Sequence, residues 1–168
     1  AYMLNDSGAF ALIVGGEFRS HVERMRGRLE TVKHFIFTGS VDGEDLGYES
    51  LLERQGSTAS GPAIEAEDLA WIFYTSGTTG HPKGAMLTHR VLITMAEQFL
   101  LDIDTAVPTD VLLHAAPITH GSGLSMFHHL ARGSASAFPA VRSFEPVGIF
   151  EAIQRYRATT MFLVPTMI

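Results

Sequence analysis

One stretch of the chain, residues 74–84 (YTSGTTGHPKG), concentrates groups that could bind an anion. Its glycines allow the backbone to turn sharply and to bring N–H groups close to a ligand. Its threonine and serine hydroxyls can donate hydrogen bonds to anionic oxygens, and Lys83 adds one ammonium group directly after Pro82. Because the stretch contains these donors and one cation but no carboxylate, it predicts binding of a polyphosphate.

The spacing fits neither of two common phosphate-binding loops. A P-loop places glycine directly before its lysine, whereas Pro82 precedes Lys83 here. The other glycine-rich turn, at residues 121–123, has Met126 where a dinucleotide-binding turn would place its third glycine. A flexible polar loop without a ligand is the alternative interpretation, but so many glycines and hydroxyls directly after an apolar segment favour a ligand.

Residues 75–84 resemble the signature of the acyl-adenylate-forming superfamily, which includes acyl-CoA synthetases, aryl-CoA ligases, firefly-type luciferases and peptide-synthetase adenylation domains. The similarity extends through residues 67–70 and 85–89, and weaker similarity covers nearly the whole chain. In that family the loop holds the β- and γ-phosphates of Mg-ATP while a carboxylate attacks the α-phosphate. The resemblance implies this phosphate-binding role for Thr75, Ser76, Gly77, Thr78, Thr79, Gly80 and Lys83.

A second stretch, residues 116–124, resembles the next motif of the same family. There, a histidine or aromatic residue ahead of a glycine lines the junction of the acyl pocket and the nucleotide site. His120 is therefore the candidate catalytic residue. The alternative is that His120 caps the following helix or forms a hydrogen bond within a polar turn.

The resemblance implies an acyl-CoA synthetase, with ATP, Mg²⁺ and coenzyme A acting on a small-molecule carboxylic acid, fatty or otherwise. A peptide-synthetase-type adenylation domain, a luciferase-like enzyme and a non-catalytic nucleotide- or phosphate-binding module are alternatives. The family's later motifs, for adenine, ribose, metal and a C-terminal lysine, have no match here. The expectation is that residues 1–168 are part of the large N-terminal AMP-binding domain, without the C-terminal domain, and are inactive alone.

Composition excludes several classes of partner. The net charge is -6 with mixed signs along the chain, which gives no basic surface for nucleic acid. Apolar runs are too short for a membrane-spanning segment, and the absence of cysteine rules out disulfides and thiolate ligands. The sequence predicts a cytoplasmic protein and leaves a homo-oligomer open.

The histidines do not form a recognisable metal motif. His128 and His129 are adjacent, so on a helix their side chains diverge by about 100 degrees. No H-E-x-x-H pattern is present, and no acidic residue lies near them in the sequence. The sequence therefore predicts no metal site.

Alternating strand-like and helix-like segments must position these residues. They predict an α/β fold, a layered and mainly parallel β-sheet with flanking helices, as in a partial N-terminal domain of an adenylate-forming enzyme. A strand at 69–75 leads into a loop at 76–83, and Thr88 is the expected N-cap of the next helix. The other strands are expected at 10–14, 32–37, 111–113, 135–138 and 159–164. The helices are expected at about 22–29, 48–54, 89–101, 124–130 and 145–157.

Overall fold

The computed structural model describes residues 1–39, 41, 43, 45–56, 61–76, 80–140 and 144–167. The chain forms two compact units, one of Ala1–Ile64 with Tyr74–Ala85 and the other of Glu65–Phe73 with Met86–Ile168. It therefore passes from one unit to the other within two strands, Leu69–Thr75 and Lys83–Thr88.

The first unit contains a parallel three-stranded sheet in the order β1 (Ala11–Gly15), β2 (His34–Thr38) and β3 (Leu46–Gly47). Ile13 of β1 pairs with Ile36 of β2, and Ile36 pairs with Leu46 of β3. The predicted strands at 10–14 and 32–37 are confirmed with shifted bounds, whereas the first helix and β3 were not predicted. The elements are α1 (Tyr2–Asp6), β1 (Ala11–Gly15), α2 (Arg19–Arg26), β2 (His34–Thr38), β3 (Leu46–Gly47) and α3 (Tyr48–Arg54).

The core of this unit is small and is covered by two arginines. Phe37 and Val22 are almost completely buried. The guanidinium carbon of Arg19 lies 4.0 Å from the centre of the Phe37 ring, and that of Arg26 lies 4.0 Å from the centre of the Phe35 ring. Because both arginines belong to α2, these cation–π contacts hold that helix on the sheet.

Asp45 joins the same two arginines. Its carboxylate accepts hydrogen bonds from Arg19 at 2.7 Å and from Arg26 at 2.9 Å, and its side chain is only 10% exposed. Burial alone would raise the pKa of the Asp45 carboxyl. The hydrogen bonds and charges of Arg26 and Arg19 outweigh that effect and hold the pKa below its usual value.

We expect Asp45→Asn to destabilise the protein by about 1–2 kcal/mol at pH 7, because two partly buried guanidinium groups lose their anion. A carboxyl whose pKa is lower in the folded state stabilises that state above its unfolded-state pKa, near 3.8. The difference between wild type and variant should therefore shrink as the pH falls below about 4. Urea unfolding from pH 7 to pH 3 measures it, with the exposed Glu53→Gln as control. A constant difference over that range would contradict the assignment.

The second unit contains a parallel three-stranded sheet in the order β7 (Ala135–Ala137), β6 (Val111–Leu113) and β8 (Thr160–Met161). A two-stranded sheet pairs β4 with β5. Thr88 caps α4 as predicted, since its hydroxyl accepts a hydrogen bond from the amide of Val91 at 3.3 Å. The strands β4 (Leu69–Thr75) and β5 (Lys83–Thr88) each begin in one unit and end in the other. The remaining elements are α4 (His89–Asp102), β6 (Val111–Leu113), α5 (Gly121–Leu124), α6 (Met126–Arg132), β7 (Ala135–Ala137), α7 (Pro146–Tyr156) and β8 (Thr160–Met161).

The core of this unit is formed where α7 packs on the sheet, through Leu113, Ala137, Ile149 and Ala152. Val147 and Phe150 lie three residues apart on one apolar stripe of α7, but they are 70% and 64% exposed. Their spacing is helical, yet the sheet contacts the neighbouring stripe of the helix instead.

The last predicted strand is much shorter than expected. The apolar run at 159–164 predicted one continuous strand, but only Thr160–Met161 pairs with the sheet, opposite Leu112 and Leu113. The neighbouring strand β6 also ends at this level, at Leu113.

The predicted α/β class is confirmed, with parallel strand pairs and flanking helices. Among the residues that the structure describes, the strands lie in three small sheets. Within the part of the chain that the structure describes, no helix is long and apolar enough to span a bilayer.

Candidate functional site

The polar stretch follows the end of β4, as predicted. Thr75 is the last residue of this strand and Ser76 follows it, and both are exposed. Lys83 is also exposed, but it is the first residue of β5 rather than part of the loop. Gly77, Thr78 and Thr79 lie outside the described residues.

Gly80 shows why a glycine is needed where the chain returns towards β5. Its φ of +93° lies in the left-handed region, which residues that have a Cβ rarely adopt. Just beyond it, the hydroxyl of Tyr2 donates to the carbonyl of Pro82 at 3.2 Å, and the Tyr2 ring lies 5.2 Å from that of His81. The residues leading into β5 are therefore fixed on α1.

The beginning of the stretch is held by Tyr74. Its hydroxyl donates to a carboxylate oxygen of Asp6 at 2.6 Å. This hydrogen bond is the main reason why the pKa of Tyr74 rises to about 12. Asp6 lies 68 residues away in the sequence, and no local pattern connects it with Tyr74.

The described polar groups of this stretch point to anion binding. Among residues 61–76 and 80–140, no hydrogen bond or ion pair engages the Thr75 or Ser76 hydroxyls or the Lys83 ammonium. Exposed hydroxyls and one ammonium can donate to several oxygens of the same phosphate group. The donor set therefore fits a phosphate chain, and because it contains no carboxylate it does not fit a bare metal ion.

His120 lies in the second unit, directly before α5. Its side chain makes no capping hydrogen bond to that helix, so the capping alternative is not supported. Instead, the exposed imidazole stacks on Phe73 of β4, with ring centres 5.3 Å apart and planes 21° from parallel. The stacking on Phe73 orients the exposed ring.

A cavity of about 440 Å³ lies beside His120. It sits beyond the carboxyl ends of β6 and β8, the edge where ligands bind in open parallel sheets. The strand order β7-β6-β8 supports this location, because β6 is the central strand. The next strand along the chain, β7, lies on one side of β6, and β8 lies on the other side, and ligands bind where the strand order reverses in this way. The lining residues are Ala116, Pro117, Thr119, His120, Gly121, Phe162, Val164 and Met167.

His114 is a buried residue near this cavity that sequence reasoning missed. Its Nδ1 lies 2.8 Å from the Ser122 hydroxyl, its Nε2 lies 3.3 Å from the Ser136 hydroxyl, and its ring stacks on Phe138. Burial, followed by the neighbouring charge of His129, lowers the pKa of His114, so the ring is neutral at pH 7. The available signal was a polar residue directly after the apolar strand β6.

A second cavity, of about 430 Å³, is lined mainly by apolar side chains. Phe127 and Trp71 contact each other in its wall, with ring centres 5.9 Å apart. Its other lining residues are Ala70, His89, Leu92, Ile93, Ala96, Glu97, Leu100 and Ala131. Because its polar groups are few, this cavity can bind an apolar group but offers few side chains that could take part in a reaction.

Comparison with known proteins decides the family. A family model described as AMP-binding enzyme matches residues 1–168. The chain belongs to the AMP-binding enzyme family. It is 30% identical to the benzoate–CoA ligase of Thauera aromatica over 168 residues, covering 99% of this chain and 31% of that protein. It is 32% identical to the feruloyl-CoA synthase of an Amycolatopsis species over 169 residues, covering 99% and 31%.

Solved structures of CoA ligases have the same fold. The anthranilate CoA ligase AuaEII, solved in complex with anthranoyl-AMP, matches with a TM-score of 0.88 and 26% identity, over 99% of this chain and 33% of that one. The inhibitor-bound N-terminal domain of FACL13 from Mycobacterium tuberculosis matches with a TM-score of 0.77 and 28% identity, over 99% and 40%. The chain spans about a third of the length of the curated relatives it matches.

The family resemblance inferred from residues 75–84 is thereby confirmed. The predicted site residues of this AMP-binding enzyme fall into two groups, each within one unit. The described phosphate-loop residues Thr75, Ser76, Gly80 and Lys83 lie in the first unit, and His120 lies in the second.

Proposed function

We propose that the protein containing this chain activates a carboxylic acid with ATP and then transfers the acyl group to coenzyme A. A carboxylate oxygen attacks the α-phosphorus of ATP, the bond to the β-phosphate oxygen breaks, and pyrophosphate leaves. The thiol sulfur of coenzyme A then attacks the acyl carbon and displaces AMP. The observation that carries this proposal is the family match over residues 1–168, among relatives named as CoA ligases and synthases.

The loop residues supply the binding of the leaving group. Hydroxyls of Thr75 and Ser76 and the ammonium of Lys83 donate charge-assisted hydrogen bonds to the β- and γ-phosphate oxygens. The same bonds strengthen as negative charge accumulates on departing pyrophosphate. We assign the same phosphate-binding role to Gly77, Thr78, Thr79 and Gly80. Magnesium bound to the ATP phosphates would offset part of their charge.

On this proposal, residues 1–168 form part of a large N-terminal domain. The adenine and ribose contacts, and the lysine of a C-terminal domain, would then come from residues outside the present sequence. Because adenylation depends on positioning every reacting group, residues 1–168 alone would not catalyse it.

Pyrophosphate exchange tests the proposal in the intact protein. Benzoate, ferulate, indoleacetate and a long-chain fatty acid are supplied separately with ATP, since curated relatives are named for the first three acids. We expect exchange that depends on at least one acid, followed by thioester formation when coenzyme A is added. ATP binding without exchange would favour the non-catalytic module. Exchange without a CoA thioester would favour another acceptor, such as a carrier protein.

His120→Ala tests whether this histidine borders the acid. We expect kcat/KM for the acid to fall by about tenfold or more, because a substrate-pocket contact is lost, while the KM for ATP changes by less than about twofold. The exposed His21→Ala serves as the control for loss of a histidine. Loss of activity that only parallels a lower Tm would favour a structural role for His120.

A further inference from the structure

Three side chains with metal-binding atoms meet beside the sheet of the second unit. Asp104 lies just after α4, and His128 and His129 lie on α6. One carboxylate oxygen of Asp104, Oδ2, lies 3.5 Å from His128 Nε2 and 3.2 Å from His129 Nε2. This arrangement supplies the acidic partner that the sequence around the histidines lacks.

The two adjacent histidines converge despite their positions on the helix. Their ring centres are 4.5 Å apart, and one donor atom from each of the three residues lies within 4.8 Å of the other two. Phe99 stacks on His128 at 5.0 Å and fixes the orientation of that ring.

The two nitrogen–oxygen distances in the cluster fit a tetrahedral metal ion. Zinc binds imidazole nitrogen and carboxylate oxygen at about 2.0–2.2 Å. Two ligands of a regular tetrahedron with such bonds are about 3.3–3.6 Å apart. The two measured nitrogen–oxygen distances, 3.5 and 3.2 Å, are therefore close to the edges of such a tetrahedron.

Apart from these contacts with one another, the donor atoms have no hydrogen bond of acceptable geometry among the described residues. His129 is completely buried and His128 is 3% exposed. All four of their ring nitrogens, together with Asp104 Oδ2, are buried without a hydrogen bond of acceptable geometry. Buried imidazoles and carboxylates normally form hydrogen bonds, so donor atoms that converge on one point without them are available to a shared ligand.

The backbone around the cluster is held in place. The Asp104 amide donates to the carbonyl of Phe99 at 2.8 Å, which closes the end of α4. Arg132, at the end of α6, donates to the carbonyl of Ala106 at 3.1 Å. The Ser134 amide donates to the carbonyl of His129 at 3.0 Å. The ligands are thus positioned by the fold before any ion binds.

We propose that Asp104, His128 and His129 form a binding site for one zinc ion. Two imidazoles and one carboxylate are donors that zinc prefers, and a divalent ion can engage both Nε2 atoms and Oδ2 at once. An adjoining cavity of about 290 Å³, lined partly by Ser125 and Phe162, gives room for water as the fourth ligand. The zinc ion joins the end of α4 to α6. This proposal does not depend on the proposed function.

Zinc titration of the intact protein tests the site. After removal of metal with a chelator, the protein is titrated with Zn²⁺ alone, without ATP, against a chromogenic chelator of known affinity. We expect one zinc ion per chain and a higher Tm. Asp104→Asn and His129→Gln preserve side-chain volume but remove a ligand. Each should raise the zinc Kd by about 100-fold or more, since loss of a supporting residue alone costs 10–100-fold.

His114→Gln is the matched control, because His114 is buried in the same unit but is not part of the cluster. Its zinc Kd should stay within about threefold of wild type. Cobalt(II) added to wild-type protein should give the intense visible absorption of a tetrahedral site, and this readout needs no variant to fold. The proposal is overturned if the wild type binds no zinc, if both ligand variants bind it unchanged, or if cobalt gives only a weak octahedral spectrum.

Discussion

Gly123→Ala is expected to destabilise the protein by about 3 kcal/mol, the upper part of the range for overpacked cores. A Cβ at this buried position would lie 2.0 Å from the Ile118 carbonyl oxygen and 3.1 Å from Trp71. The carbonyl belongs to the backbone of a hydrogen-bonded turn, in which the His120 amide donates to Pro117 at 3.1 Å and the Gly123 amide donates to His120 at 2.9 Å. Relief of the clash would therefore require the turn that carries His120 to shift.

Urea unfolding of the intact protein measures this effect. Gly27→Ala is the matched control, because Gly27 has helical dihedral angles and no atom lies within 4 Å of its added Cβ. We expect this control to unfold within about 0.5 kcal/mol of wild type. An unchanged unfolding midpoint for Gly123→Ala would show that the turn at 117–123 can move without cost.

Lys83→Ala should lower kcat/KM for adenylate formation by about 100-fold, the usual cost of removing one donor to a developing negative charge. The Lys83 side chain is exposed at the start of β5, so the free energy of unfolding should change by less than about 0.5 kcal/mol. Pyrophosphate release with ATP and the preferred acid gives the rate, and urea unfolding gives the stability.

Lys33→Ala is the matched control for this substitution. Lys33 is also exposed, and among the described residues its ammonium donates to the carbonyl of Glu30 at 3.2 Å. Its kcat/KM should stay within about twofold of wild type. Equal pyrophosphate release by Lys83→Ala and Lys33→Ala would remove Lys83 from the phosphate-binding set.

Elements with strong local signals were predicted well. The helix Tyr48–Arg54 and the strand Val111–Leu113 have the bounds read from the sequence. The helix after Thr88 begins where its N-cap predicted. These signals act over one or two turns of chain, so neighbours in the sequence are enough to define them.

Elements that depend on distant partners were predicted less well. The helix predicted at 124–130 is divided into α5 and α6, with Ser125 between them. The strand β5 was not predicted, because its residues follow the glycine-rich stretch and carry no clear alternation. The strand β3 has only two residues and forms because β2 offers it a free edge.

The sequence by itself determined the family and the α/β class, because these rest on a contiguous motif and on local periodicity, and the same motif predicted the phosphate-binding residues. Only the tertiary structure shows that Asp6 accepts a hydrogen bond from Tyr74 and that Phe73 stacks on His120. It also brings the Asp104 carboxylate close to two histidines. The physical reason is that such contacts join residues far apart in the chain. Which residues meet depends on how the helices pack on the sheets, and a local pattern of residue types does not specify that packing.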